Sequence, residues 1–272
     1  MRIRNAGAID DAIQTLTFLK HQCENARNPS ALSQARDAYI GWVHTAERHF
    51  YSLFADEGMI DALHTASYWE IRRLTQVSPG AFALMQGEIE RQVQRIDAAI
   101  EKLRQYREFA SHPGKIVVPD TSALIRGVWL PDFVWQTHLD IKDSVRMVVP
   151  ILVVEELDGF KDRDRTGTAG DRAAKVLKWL RELCRAVEPG APAEVRNKVT
   201  IEVLLDDEWQ RRRPNADAEI IDQALLVQEM TGTAVTLACV DASMEFRARQ
   251  HGLNVYEMPT TEDVIKAKRG DT

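Results

Sequence analysis

Acidic side chains in the second half of the chain stand where short apolar runs give way to helical patterns, at Asp120, Glu155 or Glu156, Asp217 and Asp241. Asp120 directly follows the β-branched run Lys115 to Pro119, and Asp241 directly follows Val235 to Val240. Both read as residues leaving a buried strand. A helix opening at Ile151 carries Glu155 and Glu156 beside an apolar stripe of Val153, Leu157 and Phe160. Periodicity alone leaves the two glutamates nearly tied for the side that faces the sheet. Asp217 falls in or just before the first turn of a helix read from Ala218 to Thr231, where an anion is favourable with the helix dipole, so simple capping would account for it alone. Convergence is harder to explain. Several carboxylates at one sheet edge raise one another's pKa and weaken the fold unless a cation stands among them. Oxygen donors with no accompanying His or Cys cluster point to Mg²⁺ or Mn²⁺ rather than zinc.

The elements that must position these acids alternate. Apolar runs at Lys115 to Pro119, Val145 to Val149, Val199 to Leu205, Val235 to Val240 and Leu253 to Met258 are separated by helical patterns. Such alternation implies an α/β domain, a mostly parallel sheet flanked by helices, in which ligands bind outside the carboxyl ends of the strands. We place this domain at residues 113–260, followed by a tail at 261–272. His112, Pro113 and Gly114 break the preceding helix and mark the boundary. Residues 1–112 read as an all-α helical bundle domain, with helices at Asp10 to Ala26, Ser30 to Phe54, Asp56 to Thr75 and Ser78 to Ala110. Pro29 and Pro79 mark helix starts, capped by Asn28 or Ser30 and by Ser78. The last helix carries Ile89, Val93, Ile96, Ile100 and Leu103 as a narrow stripe, which suits a bundle seam or a partner helix, so a homo-oligomer or protein partner through this half stays open. No chemistry is legible there. His44 and His49 do not share a helix face as a metal pair would, and Trp42, Tyr68 and Trp69 read as packing or interface residues.

The chain has 272 residues and a net charge of −6, which argues against a protein that coats nucleic acid with a broad basic face. An acidic metal site still permits a nuclease, because bound cations reverse the local charge. Cys23, Cys184 and Cys239 lack the paired spacing of zinc or redox sites and read as packing residues. No apolar run approaches the roughly 18 residues of a membrane span, so a soluble, cytoplasmic protein is expected.

Four segments together resemble the PIN-domain nucleases, in particular the PIN domains of PhoH-type proteins: "VVPDTSALI" from Val117, "VPILVVEELDGFK" from Val149, "NADAEIIDQAL" from Asn215 and "VDASMEFRARQHGL" from Val240. The resemblance implies that Asp120, Glu156, Asp217 and Asp241 are the catalytic acids and hold Mg²⁺ or Mn²⁺, and it chooses Glu156 over Glu155. It implies hydrolysis of phosphodiester bonds, usually endonucleolytic and in single-stranded RNA, by water and without a covalent enzyme intermediate. Thr121 and Ser122 look like the hydroxyl pair that orients the first aspartate. Cys239 stands where many members have Thr, and Asp222 is a possible fifth acid. The mixed-charge segment Lys161 to Gly170, which holds Lys161, Arg163 and Arg165, with Arg172 beyond it, and the consecutive Arg211, Arg212 and Arg213 are candidate phosphate contacts.

Two other enzyme classes fit poorly. Aspartate-nucleophile phosphatases need a second aspartate two residues after the first, where Ser122 stands, and no G-x-x-x-x-G-K-[ST] loop occurs. The competing reading is a PIN-fold RNA-binding or protein-interaction module with little or no catalytic activity.

Overall fold

A computed structural model describes residues 3–4, 9–27, 31–55, 57–74, 80–164, 167–206 and 212–269. The cap and helix-start positions Asn28, Pro29, Ser30, Ser78 and Pro79, together with Arg165 and Arg211, lie outside the described residues. Two compact units divide the chain, one of Met1–Ala110 with Glu229–Gly232, the other of Ser111–Gln228 with Thr233–Thr272.

The first unit contains α1 (Ile9–Asn25), α2 (Leu32–Leu53), α3 (Gly58–Asp61), α4 (Ala66–Arg73) and α5 (Ala81–Ser111). The helix expected from Asp56 to Thr75 is therefore two. Thr65 breaks it: its backbone is extended and its side chain accepts from the Tyr68 N–H at 3.0 Å, which caps a new helix. α1 and α5 run antiparallel, joined by ion pairs of Asp10 with Arg107 and Lys20 with Asp97, and Arg27, just past α1, pairs with Glu90. The α5 stripe from Ile89 to Leu103 is buried, as its spacing requires. Glu88, also fully buried, accepts hydrogen bonds from Tyr39, Thr65, Arg91 and Gln92. Those donors offset the desolvation that a lone buried charge would suffer.

The second unit is built on β1 (Lys115–Pro119), β2 (Val145–Pro150), β3 (Ala193–Arg196), β4 (Val199–Leu204), β5 (Thr236–Cys239) and β6 (Asn254–Glu257). They form one sheet in the order β3-β4-β2-β1-β5-β6, with every pairing parallel except β3 with β4. The mostly parallel sheet flanked by helices is as expected; the antiparallel edge strand β3 is not. Its hairpin turn places Lys198 at φ 62°, where a glycine or asparagine would have marked the turn in the sequence. Every residue of β2 is buried, and in β1 all but Lys115, as strands covered on both faces must be.

Seven helices accompany the sheet among the described residues: α6 (Thr121–Ile125), α7 (Trp135–His138), α8 (Ile151–Arg163), α9 (Thr168–Arg185), α10 (Ala216–Thr231), α11 (Ala242–Gln250) and α12 (Thr261–Arg269). The stretch read as a tail thus contains a helix. No described helix is long and apolar enough to cross a membrane. Because the buried strands and their covering helices all fall after the break at His112, residues 113–272 expressed alone should remain soluble and show a cooperative thermal transition. Persistent aggregation of that fragment would instead mean that the two units share a core.

Candidate metal centre

β1 and β5 are adjacent parallel strands, so the residues that follow them emerge at the same edge of the sheet. The Asp120 N–H donates to the Ala238 carbonyl of β5 at 2.9 Å, which ties the end of β1 to its neighbour. Asp120 then caps α6: its Oδ1 accepts from the Ala123 N–H at 2.7 Å. Ser122 completes the frame. Its hydroxyl lies 2.9 and 2.8 Å from the two Asp120 carboxylate oxygens, and its Oγ accepts from the Val240 N–H at 2.9 Å. One side chain therefore joins the first candidate acid to the residue just before Asp241.

Asp120 is only 3% exposed. Burial above all, with smaller pushes from the charges of Asp241 and Asp217, raises its carboxyl to about 7 against the opposing Ala123 N–H and Ser122 hydroxyl. Asp120 thus feels two of the other candidate acids electrostatically. Glu156 is reached from the other side, since α8 begins where β2 ends and β2 pairs with β1. Its Oε2 accepts a hydrogen bond from the Thr121 hydroxyl. Glu155 turns outward, with a 54% exposed side chain paired to Arg212 at 3.1 Å. The two hydroxyls divide their work: Ser122 orients Asp120, while Thr121 holds Glu156.

Asp217 lies in the first turn of α10, and the capping there is done by Asn215, whose Oδ1 accepts from the Ala218 N–H at 3.1 Å. Its own Oδ2 is 3.7 Å from Nη1 of Arg247 on α11, while Asp241 Oδ1 is 2.7 Å from Nη1 of Arg126. Among the described residues no three His, Cys, Asp or Glu side chains stand close enough together to hold a metal ion. The donor chemistry nonetheless suits a hard cation. It consists of oxygens, and among the described residues the buried Asp120 carboxylate accepts from the Ala123 N–H and the Ser122 hydroxyl and from no Lys or Arg.

A family model described as "PIN domain" matches residues 117–258, slightly over half of the chain. The chain belongs to the PIN-domain family. This PIN domain accordingly has a nuclease-like fold, in a family whose members are generally metal-dependent nucleases. Among solved structures the chain is similar to a domain of a functionally unknown protein from Methanocaldococcus jannaschii DSM 2661, at 17% identity, covering 54% of this chain and 94% of that one with a TM-score of 0.35. A likeness that weak carries no functional argument. No curated protein matches the chain.

The remaining candidate residues of the PIN domain have partners of their own. Arg172 donates to the carbonyls of Leu124 and Gly127 at 3.1 and 2.9 Å, and its guanidinium lies 4.8 Å from the Trp129 ring centre. It fastens the end of α6. Arg212 pairs with Glu155 and with Asp206, and Arg213 pairs with Asp222, the possible fifth acid, at 2.6 Å. Cys239 is buried in β5, and that burial pushes its thiol to about 12, so it is a neutral packing group. Sequence reasoning did not single out Arg126 or Arg247. The available signal was position: Arg126 caps the C-terminus of α6, and Arg247 sits in the last turn of α11, in elements that begin beside Asp120 and Asp241.

Proposed function

We propose that this PIN domain is a Mg²⁺- or Mn²⁺-dependent endoribonuclease that hydrolyses phosphodiester bonds in single-stranded RNA, with Asp120, Glu156, Asp217 and Asp241 as the catalytic and metal-holding acids. The observation that carries the reading is Asp120 itself: a carboxylate at the end of β1, locked to the end of β5 through Ser122, its carboxyl raised by burial and then by the charges of Asp241 and Asp217. A group arranged only for stability has no reason to keep its ionised form so poorly compensated.

In this reading Ala123 and Ser122 fix the Asp120 carboxylate in one orientation, and Thr121 does the same for Glu156. A divalent cation held there supplies the positive charge that favours ionised Asp120 and offsets the charge building on the phosphodiester. Asp217 and Asp241, with side chains 42% and 45% exposed beside Arg247 and Arg126, are within reach of solvent and orient the attacking water. Water adds to phosphorus and gives up a proton to solvent, the bond to the leaving ribose oxygen breaks, and solvent supplies that oxygen's proton. Purified full-length protein should therefore cut unstructured RNA in Mn²⁺ and stop in EDTA. Binding of the same RNA without metal-dependent cutting would leave only a PIN-fold RNA-binding module.

A further inference from the structure

Phe246 is 71% exposed, the largest exposure among the described large hydrophobic side chains. It lies on α11, the helix that opens directly after Asp241, and the opposite side of that helix buries Met244 and Ala248. Helical spacing sets Ser243, Phe246, Arg247 and Gln250 on one exposed face. That face borders the candidate acids, because Arg247 on it reaches Asp217 at 3.7 Å. A phenyl ring is thus held in water beside a guanidinium that already reaches a candidate metal ligand.

We propose that Phe246 and Arg247 form a seat for one nucleotide next to the scissile phosphate, Phe246 stacking on an unpaired base and Arg247 taking the adjoining phosphate. This rests on the nuclease reading and refines it, since a base inside a duplex cannot offer its face to the ring. The surroundings favour nucleic acid over protein. Protein-docking surfaces need a contiguous apolar patch, whereas Phe246 is flanked on its face by Ser243, Arg247 and Gln250. A lone aromatic among polar and cationic groups is the chemistry of base stacking combined with backbone contact. Arg247 reaches Asp217 through Nη1 at 3.7 Å, and the other donors of its five-donor guanidinium can take the phosphate.

The test uses the full-length chain carrying Asp120→Asn to stop cleavage. The probes are a short unpaired RNA containing 2-aminopurine and the same strand in a duplex. Phe246→Ala should weaken binding of the unpaired strand about tenfold, within the range found for losing one base–aromatic stack, and should abolish the quenching that stacking imposes on 2-aminopurine. Phe246→Trp should restore both, which separates a lost platform from a damaged fold. Arg247→Ala should reduce the salt dependence of binding by about one phosphate contact. Equal affinity and equal quenching in Phe246→Ala, while the Asp120-containing parent cuts RNA, overturns the seat and leaves the nuclease reading standing. A parent that neither binds nor cuts RNA overturns both. If in that case Phe246→Ala abolishes self-association seen by sedimentation, the face belongs to a protein contact instead.

Discussion

Asp120→Asn should remove RNA cleavage almost completely, by more than the 10- to 100-fold that losing an outer-shell partner of a metal site typically costs. The fold should survive the change. An asparagine Oδ1 can still accept from the Ala123 N–H and from the Ser122 hydroxyl, so the α6 cap and the link to Val240 are retained. What disappears is the charge, on the group best placed to favour a cation. Asp120→Ala is a poorer test, because it also deletes the cap and costs about 1 kcal/mol of stability. Initial rates of the two proteins, prepared identically and assayed on the same unstructured RNA in Mn²⁺, decide the matter. Cleavage by Asp120→Asn at the parent rate, with contaminating nuclease excluded, would sink the catalytic assignment.

Without metal, the protein should lose stability as pH rises from about 4 to about 7. The unfolded chain releases the Asp120 proton near its ordinary value of about 3.9, whereas in the folded protein burial holds the proton until about 7. Across that window the folded state binds more protons, so the slope of stability with pH is negative. The contribution is fully present below the lower value, is lost by the time pH passes the upper one, and amounts at most to the order of 4 kcal/mol. Asp120→Asn is neutral throughout and should flatten this fall, raising the metal-free melting temperature near neutral pH. Divalent metal should oppose the fall in the parent by binding its deprotonated site, adding about 2.7 kcal/mol when it is present at a hundred times its Kd. Thermal melts of parent and variant from pH 4 to 8, with and without Mn²⁺, measure all of these effects. A lower metal-free melting temperature for the variant, with no response of the parent to Mn²⁺, would identify Asp120 as a purely structural acceptor.

Much of the PIN domain was legible because its strands are short apolar runs with abrupt ends, and Asp120 and Asp241 stand at two of those ends. Periodicity could not separate Glu155 from Glu156, since both flank the same stripe. What distinguishes them is a contact distant in sequence, from the Thr121 hydroxyl to Glu156, while Glu155 turns to Arg212. The unread elements share a cause of another kind. Strand β3 hides behind a turn whose left-handed position is a lysine, and the break between α3 and α4 hides in one threonine that caps within an apolar pattern. Arg126 and Arg247 escaped notice because a single arginine near a helix end is ordinarily solvated or paired with the carbonyls there. Their pairing with Asp241 and Asp217 depends on how α6, α10 and α11 meet, which no local pattern encodes.

Joint metal binding by Asp120, Glu156, Asp217 and Asp241 is tested most directly by anomalous diffraction from crystals of the full-length protein grown with Mn²⁺. The expected result is manganese density bounded by those four carboxylates at the carboxyl edge of the sheet, absent from crystals of Asp120→Asn. Ordered crystals at saturating Mn²⁺ with no manganese at that edge, or with manganese held equally well by the Asp120→Asn protein, would contradict it.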